Sequence, residues 1–256
     1  MIAATDDPRL MRPVGPQEAD WFEQWFGEDY LYTYQHRDET EAERVIELIA
    51  TNLAGRKIDT VLDLACGAGR HTRVLRERWW TVGLDLSMSL LRIARKESGD
   101  APYVRADMRE LPFADESFDL VVNLFTSFGY FDEDSDHVRV LACVSAATKR
   151  GGTLVIDFLN ASQVKRELVP YDERVENGTT IEQRRTISPD GRFVEKTIRL
   201  RERGKEYIER VRLLSSRDLQ RMLTSAGFNV VRLFGDYSGG DWSEDSPRTI
   251  LFASRQ

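Results

Sequence analysis

A glycine-containing segment between a short apolar run and a helical pattern carries the strongest chemical signal in this sequence. Residues 61–72 read VLDLACGAGRHT, with glycines at positions 67 and 69. Because glycine has no Cβ, the backbone there can turn sharply and approach a ligand, and the amides that open the next helix can face a polar group. A Gly-x-Gly pair is also typical of a structural tight turn, so the signal needs support from elsewhere.

Asp85 provides that support, because it ends the second predicted strand 16 residues after Gly69. In a nucleotide-binding fold, an acid at this point accepts hydrogen bonds from both ribose hydroxyls. An alternative role for Asp85 is to cap the helix that follows. Ser87 can do that instead, which favours a ligand-binding role for Asp85.

Asp107 lies just beyond the third predicted strand and is followed by Met108. The pair would offer one polar and one apolar contact to an adenine, with the carboxylate meeting the exocyclic amine. The carboxyl ends of parallel strands lie at one edge of a sheet, so Asp63, Asp85 and Asp107 should face the same edge.

The elements that must position these residues alternate between strands and helices. Continuous apolar strands alternating with amphipathic helices predict a buried parallel sheet in a doubly wound α/β fold. The predicted strands are 59–64, 81–85, 102–106, 118–125 and 153–158, the last entered by a turn at 151–152. The predicted helices are 39–53, 88–96 and 138–149.

The pattern changes after Pro170. Three extended segments (179–187, 193–201 and 207–214) are separated by hairpin signals and predict an antiparallel meander. Arginines and glutamates alternate along these segments, which favours ion pairing across strands on a solvated face. A helix from Ser216, its predicted N-cap, to Ala226 follows, and strands at 230–233 and 249–253 end the chain.

The bulk composition restricts the class of protein. The net charge is −7 over 256 residues, which disfavours nucleic-acid binding without excluding a local basic patch. The two cysteines, Cys66 and Cys143, have no zinc-site or disulfide-framework spacing, and no metal site is predicted. The sequence has neither a signal-peptide pattern nor an apolar run of the roughly 18 residues needed to span a bilayer, so a cytoplasmic protein is expected.

Together these motifs resemble the class I, Rossmann-like methyltransferases that use S-adenosylmethionine. The resemblance covers about 40–160 and 215–256, and it includes the strand that opens Phe118-Asp119 and the phrase LTSAGF at 223–228. It implies a seven-stranded mixed sheet with an antiparallel last strand. The expected organisation is an N-terminal arm or lid (1–38), a methyltransferase core (39–170 and 215–256) and an antiparallel β insertion (171–214).

The resemblance also assigns a cofactor site. It implies that the first motif holds the amino-acid end of S-adenosylmethionine, that the acid after the second strand holds the ribose, and that the Asp-Met pair holds the adenine. The end of the fourth strand would border the methyl group, with Phe125 beside it. The implied core residues are Asp63, Ala65, Gly67, Gly69, Asp85, Leu86, Asp107, Met108, Asn123 and Leu124.

An aromatic-rich segment, 21–34, precedes the core and allows two interpretations. In the first, Tyr30, Tyr34 and Arg37 fold over the cofactor and Arg37 pairs with its methionine carboxylate. In the second, the segment packs as an apolar cap. We favour the lid, and predict Tyr34 and Arg37 as cofactor-binding residues, because Arg37 has no other evident partner in the sequence.

Methyl transfer is a displacement at a sulfonium methyl and depends mainly on alignment in a water-poor pocket. In the loop after the fourth strand, Tyr130 is a candidate to position or deprotonate the acceptor, and packing is an equal alternative. Asp157 and Asn160, which close the fifth strand, are further pocket candidates. His71 is expected to be structural, and His137 to be solvated at the start of a helix.

The predicted function is methyl transfer to a small-molecule acceptor. Similar insertions in small-molecule methyltransferases, including amino-sugar N-methyltransferases, cover the acceptor site or form a homodimer contact. The alternatives are a regulatory module that binds the cofactor without turnover and an RNA methyltransferase. A nicotinamide dehydrogenase is disfavoured, because Thr72 stands where its fingerprint needs a third small residue and because Asp63 is unusual there.

Overall fold

The computed structural model describes residues 21–34 and 39–256, and Arg37 lies outside the described residues. Seven segments of the core form the strands of one sheet, and most residues of its central strands are buried. These strands are β1 (Thr60–Leu64), β2 (Trp80–Asp85), β3 (Tyr103–Arg105), β4 (Phe118–Asn123), β5 (Thr148–Leu159), β10 (Phe228–Phe234) and β11 (Arg248–Arg255).

The strand order is β10-β11-β5-β4-β1-β2-β3, and β11 pairs antiparallel with both of its neighbours. The predicted mixed sheet with an antiparallel last strand is thus confirmed. From β1 the chain proceeds outward through β2 and β3, and then returns to the other side of β1 with β4. The loops after β1 and β4 therefore diverge, which opens a crevice at the carboxyl ends of these strands.

Helices cover both faces of this sheet because successive side chains of each strand point to opposite faces. Val61 packs with the helix Glu39–Asn52, while its neighbour Leu62 packs in the cluster that holds the helix Asp134–Ala147. The helices are α1 (Trp21–Trp25), α2 (Glu28–Thr33), α3 (Glu39–Asn52), α4 (Arg70–Arg76), α5 (Met88–Ser98), α6 (Asp134–Ala147), α7 (Ala161–Glu167) and α8 (Ser216–Ser225). Within the two described segments, no helix is both long and apolar enough to cross a bilayer.

The insertion is a separate antiparallel sheet of four strands, one more than the sequence predicted. Its strands run in the order β6 (Tyr171–Glu176), β7 (Thr179–Ile187), β8 (Phe193–Leu200) and β9 (Lys205–Arg212). The additional strand, β6, is an edge strand whose sequence, YDERVE, contains four charged residues and gave little strand signal. The turn that follows it is Asn177-Gly178, with φ angles of 44° and 78°, as a tight two-residue hairpin requires.

Strand β5 begins earlier than predicted. It starts at Thr148 and runs through the two glycines that were interpreted as a turn. Its pairing with β4 shifts register between Phe118 and Leu120, so the extra residues of β5 form a bulge there. Gly151, at φ 72°, accommodates that bulge.

The N-cap of α8 is Ser215, and the prediction of Ser216 was wrong by one residue. The Ser215 hydroxyl accepts a hydrogen bond from the Asp218 amide at 3.1 Å, and the Asp218 carboxylate accepts one from the Ser215 amide at 3.1 Å. This reciprocal capping box needs an acid three residues after the cap, which Asp218 supplies only for Ser215.

The cap provides a test of this helix. We expect Ser215→Ala to lower the free energy of unfolding by about 1 kcal/mol, because the α8 amides lose their side-chain acceptor. Urea unfolding followed by circular dichroism measures the change. Ser216→Ala, one residue into the helix, is the matched control, and a larger loss from the control would contradict the assignment.

Candidate cofactor and acceptor site

A cavity of about 530 Å³ lies at the carboxyl ends of β1, β2 and β4, within the size range of small-molecule sites. The loop after β1 and Asp85 form one side of it, and the loop after β4 forms another. Helices α1 and α2 cover it, and β9 of the insertion contributes Glu209 and Val211 to the wall.

The two glycines of the first motif have different roles. Gly67, at φ 57°, lines the cavity, and a Cβ there would meet only Leu90 at 3.8 Å. Gly69, at φ 79°, is the N-cap of α4, and a Cβ there would lie 2.4 Å from the Tyr103 hydroxyl. Gly69 therefore permits close packing of α4 against β3, and it is not among the residues that line the cavity.

Asp85 lies at the cavity wall and fixes two loops. Its carboxylate accepts hydrogen bonds from the backbone amides of Gly67 and Ser87, both at 2.8 Å. Ser87 is the N-cap of α5, as predicted, and accepts from the Leu90 amide. Burial raises the pKa of Asp85, although these amide hydrogen bonds counteract the shift. A carboxylate can accept about four hydrogen bonds, so the predicted ribose contact is compatible with both amide bonds.

Asp63 is buried beneath the glycine loop and does not line the cavity. Its carboxylate accepts a hydrogen bond of 2.6 Å from the Thr72 hydroxyl. Burial raises its pKa to about 7, and the nearby negative charge of Asp85 adds to the shift. The structural role of Thr72 explains why a threonine stands where a dinucleotide fingerprint needs a small residue.

The residues predicted to hold the adenine surround a smaller cavity of about 50 Å³ that adjoins the first. Leu86, Asp107 and Met108 line it, and Ala65 and Asp85 line both cavities. A carboxylate, a thioether and apolar side chains thus meet at one small space, and its assignment to the adenine stays a prediction.

Asp107 is also paired with Arg109, whose Nη2 lies 2.7 Å from Asp107 Oδ2. Burial raises the pKa of Asp107, but the hydrogen bonds from Arg109 outweigh it, so the pKa lies below its ordinary value. The carboxylate therefore stays ionised and able to accept a further hydrogen bond.

At the end of β4, one predicted site residue has a structural role and the residues after it line the cavity. Asn123 is buried and donates to the Leu64 carbonyl at 3.0 Å, so it ties β4 to β1 and lies outside the cavity lining. Leu124, Phe125 and Thr126 line the cavity, and the place of the first two beside the methyl group stays a prediction.

Helices α1 and α2 form an aromatic cover over the cavity. Trp21, Phe26 and Tyr30 line it together with Tyr130 from the loop after β4 and Tyr34. The ring centroids of Trp21 and Tyr130 are 5.0 Å apart, and those of Phe26 and Tyr130 are 5.5 Å apart. Tyr130 thus both packs and faces the cavity, so neither of its two predicted roles is excluded.

The aromatic cover is anchored to the insertion. The buried Asp29 of α2 accepts hydrogen bonds from Arg203, Lys205 and Tyr207 at 2.5–2.6 Å. Burial raises the pKa of Asp29, but the hydrogen bonds from these three residues lower it by more. The pKa of Asp29 therefore lies below its ordinary value. Trp25 packs beside the buried face of the insertion. The two interpretations of segment 21–34, a lid over the cofactor and an apolar cap, are thus compatible. The segment packs on the insertion and also lines the cavity.

Sequence reasoning missed Glu209, which β9 places in the cavity wall. Its carboxylate accepts hydrogen bonds from Trp25 Nε1 at 2.6 Å and from the Tyr34 hydroxyl at 2.9 Å, and it pairs with Lys196. Glu209 is one of several acids that alternate with basic residues along the insertion, so no sequence signal distinguished it.

Arg70 and His71, at the start of α4, also line the cavity and were not predicted as site residues. Arg70 Nη1 lies 2.9 Å from Glu41 Oε2, and its guanidinium lies 4.9 Å from the centroid of the Phe125 ring. His71 is buried, and its predicted structural role does not account for its place in the wall. Their position directly after the glycine loop, at a helix start, was the available signal.

The prediction that His137 is solvated was wrong. It is fully buried, and its ring packs against Phe128 and Phe131 beneath the loop that carries Tyr130. Burial lowers its pKa, which favours the neutral imidazole. The acidic residues before it had suggested an exposed turn, whereas the helical face that carries His137 points into the core.

Asp157 and Asn160 are buried and do not line the cavity. The Asn160 amide donates to the carbonyls of Ser243 and Ser246 at 3.0 and 2.8 Å, so it fastens the loop between β10 and β11. Asp157 lies behind the loop that follows β4 and accepts a hydrogen bond from the Phe125 amide.

Comparison with known proteins relates part of this chain to a described domain family. Residues 61–152, which span β1 to β5, match the family model described as a methyltransferase domain. The chain carries a methyltransferase domain. The match covers the glycine loop, Asp85, Asp107 and the end of β4, so it includes most of the predicted site.

Two curated relatives of this methyltransferase match different extents of the chain. The dTDP-3-amino-3,4,6-trideoxy-alpha-D-glucopyranose N,N-dimethyltransferase of Streptomyces venezuelae is 26% identical over 229 residues, covering 82% of this chain and 92% of that protein. The demethylmenaquinone methyltransferase of Thermotoga maritima is 38% identical over 126 residues, covering 48% of this chain and 52% of that protein.

Solved structures share the fold of the methyltransferase. An S-adenosylmethionine-dependent methyltransferase from Clostridium acetobutylicum superimposes with a TM-score of 0.75 at 20% identity, covering 89% of this chain and 96% of that one. An amino pentose methyltransferase from Micromonospora echinaspora, solved with S-adenosylmethionine bound, gives a TM-score of 0.69 at 20% identity, with coverage of 90% and 97%.

The raised pKa of Asp63 leads to a pH prediction. Folded Asp63 keeps its proton up to about pH 7, whereas an unfolded aspartate loses it near 3.8, so its contribution to stability is full below pH 4 and is lost as the pH rises through 7. Asp63→Asn should therefore gain stability relative to wild type between pH 4 and 7, by about 1.4 kcal/mol for each pKa unit of difference. Urea unfolding at each pH measures this.

Asp119→Asn is the control, because the pKa of Asp119 is lowered to about 2. Burial raises it, but bonds from Lys149, Asp59 and Thr60 outweigh that effect. Its stability difference from wild type should stay constant between pH 5 and 7. A constant difference for Asp63→Asn as well would contradict the assigned pKa.

The anchor of the aromatic cover is tested by Asp29→Asn. Without the charge that holds Arg203, Lys205 and Tyr207, we expect faster proteolysis within α1–α2 and about tenfold weaker cofactor binding, while the core unfolds as in wild type. Limited proteolysis and calorimetry measure the two effects. Asp100→Asn, which breaks an exposed ion pair with Arg76, should change neither, and equal effects from both variants would refute the anchor.

Proposed function

We propose that this methyltransferase transfers the methyl group of S-adenosylmethionine to the amine nitrogen of a small molecule. The observation that carries the proposal is the Glu209 carboxylate in the cavity wall, beside a row of aromatic rings. The cofactor occupies the part of the cavity that is formed by the glycine loop, Asp85 and the Asp107-Met108 pair. The acceptor occupies the part beneath α1 and α2.

The extent of the curated matches supports an acceptor of this kind. The match to the Streptomyces venezuelae sugar N,N-dimethyltransferase covers 82% of this chain, and a second sugar N,N-dimethyltransferase, from Streptomyces fradiae, is 27% identical over 72% of it. The demethylmenaquinone methyltransferase matches only 48%. Because the insertion and α1–α2 build the acceptor side of the cavity, the more extensive matches are the more informative ones for the acceptor.

The lining chemistry suits an amine that arrives as an ammonium ion. A carboxylate attracts the ammonium group, and aromatic faces attract it further through their π electrons. The rings of Phe26, Tyr30 and Tyr34 follow one another at centroid distances of 4.8 and 5.0 Å and lead to Glu209. The same rings limit the access of water to the reacting atoms.

The reaction needs the neutral amine. Its nitrogen lone pair forms the new bond to the methyl carbon while the carbon–sulfur bond breaks, and that electron pair stays on sulfur as S-adenosylhomocysteine. The nitrogen releases one proton; the Glu209 carboxylate is a base in the cavity wall that can accept it, and the Tyr130 hydroxyl can position the nitrogen. The protein contributes alignment and exclusion of water, and no metal is required.

RNA methylation finds no support in the comparisons or in the insertion. Several arginines of the insertion form ion pairs: Arg210 with Asp132 and Glu195, Arg212 with Asp134, and Arg201 with Glu182. The net charge of −7 also disfavours a phosphate backbone. The homodimer contact through the insertion and the cytoplasmic location stay predictions.

A matched acceptor panel tests the proposal. Each amine, such as a nucleotide-linked or free amino sugar, is offered beside the analogue that carries a hydroxyl at the same carbon, and release of S-adenosylhomocysteine is measured. We expect turnover with amines and none with the matched alcohols. Turnover confined to alcohols or to RNA would overturn the proposal.

The substitution Glu209→Gln tests the role of this carboxylate in binding the amine. We expect the KM for the amine to rise about tenfold or more, because a charge-assisted contact is lost, with the KM for S-adenosylmethionine within about twofold of wild type. Glu206→Gln is the matched control, because it removes one charge from an exposed position of the same strand. An unchanged amine KM in Glu209→Gln would remove this carboxylate from the acceptor site.

A further inference from the structure

The loop after β4 holds a strained backbone at the cavity wall. Phe125 and Thr126 are consecutive, and their φ angles are 61° and 69°. This left-handed region is unfavourable for residues with a Cβ, so it persists only where the surroundings enforce it. Both residues line the cavity, at the strand end that would border the transferred methyl group.

Asp157 of β5 holds both strained residues through their backbone. The Phe125 amide donates to the Asp157 carboxylate at 2.9 Å, and the Thr126 amide donates to the Asp157 carbonyl at 2.9 Å. These two bonds fix successive peptide groups, which determines the direction in which the loop leaves the sheet.

Two residues from the C-terminal part of the chain hold the Asp157 carboxylate in turn. Arg248 Nε donates to it at 2.7 Å, and the Tyr237 hydroxyl donates at 2.8 Å. The Asp157 side chain is 0% exposed and that of Arg248 is 19% exposed. Arg248 also reaches the strained loop directly, because its Nη2 donates to the Thr126 hydroxyl at 3.0 Å.

We propose that Asp157, Arg248 and Tyr237 are positioning residues for methyl transfer, and we name this group the Asp157 clamp. The clamp holds Phe125 and Thr126 in the left-handed conformation and so fixes the wall against which the acceptor nitrogen approaches the methyl carbon. A small error in that alignment slows a displacement reaction strongly. The effect on turnover rests on the proposed function, whereas the effect on the loop does not.

The sheet itself does not need the clamp. β5 and β11 already pair through seven successive residue positions, and apolar side chains such as Ile250 and Phe252 pack there. A buried ion pair contributes little net stability compared with an apolar pair of similar volume. What it adds here is a set of directional hydrogen bonds, and these end on the strained loop.

Arg248→Lys is the central variant, because it keeps a positive charge beside Asp157. A lysine cannot replace the two guanidinium donors, of which one bonds to Asp157 and the other to Thr126. Amide hydrogen exchange by NMR on the full chain, with no acceptor present, should accelerate about tenfold at Phe125 and Thr126 and stay unchanged at Val122 in the adjoining strand. With an accepted amine, kcat should fall about tenfold or more. Calorimetry should give a Kd for S-adenosylhomocysteine within about twofold of wild type.

Arg255→Lys is the matched control, since it makes the same substitution at the other end of β11, where the guanidinium contacts the Thr148 carbonyl. It should leave loop exchange and kcat unchanged. Tyr237→Phe removes one donor from the clamp and should accelerate exchange at Phe125 by a smaller factor, which keeps the test available if Arg248→Lys folds poorly.

The exchange data separate this inference from the proposed function. If no amine is methylated by wild type but loop exchange accelerates selectively in the clamp variants, the acceptor assignment fails and the clamp stands. Unchanged exchange at Phe125 and Thr126, or an equal acceleration throughout the sheet, would overturn the clamp. So would a kcat for Arg248→Lys equal to that of Arg255→Lys.

Discussion

The cavity depends on the Asp85 carboxylate, which accepts hydrogen bonds from the backbone amides of Gly67 and Ser87. Through these two bonds, the loop after β1 and the loop after β2 take positions that are fixed relative to each other. Asp85 thus lines both the main cavity and the smaller space beside Met108. The same carboxylate builds the site and remains able to accept the ribose hydrogen bonds that are predicted for it.

Two parts of the protein form the site: the seven-stranded sheet, and the insertion together with α1–α2. The parallel sheet supplies the cofactor side through loops at the carboxyl ends of its strands, as expected for an open α/β sheet. The insertion and α1–α2 are joined through Asp29 and Glu209 and form the opposite wall, where we place the acceptor. The strained loop at Phe125 lies where the two sides meet.

The fold was predictable, and so was the meeting of Asp85 and the glycine loop at one edge of the sheet, because their signals are local. Strand, turn and acid occur within a few residues of each other at Asp85 and Asp107, and the parallel topology brings them together. The acceptor side was not predictable in the same way. Glu209 gains its position because β9 packs against Trp25 and Tyr34, which lie far away in the sequence, and its charge does not distinguish it from its neighbours. His137 was misassigned because flanking acids indicated exposure, although tertiary packing buries that face of α6.

A crystal structure of the protein with S-adenosylhomocysteine tests the account most directly. We predict that both ribose hydroxyls lie within hydrogen-bond distance of the Asp85 carboxylate, that the adenine lies between Asp107 and Met108, and that the sulfur points toward the space beneath the aromatic cover, beside Tyr130. An adenine bound outside the space formed by Leu86 and Met108, or a ribose without contact to Asp85, would contradict the account.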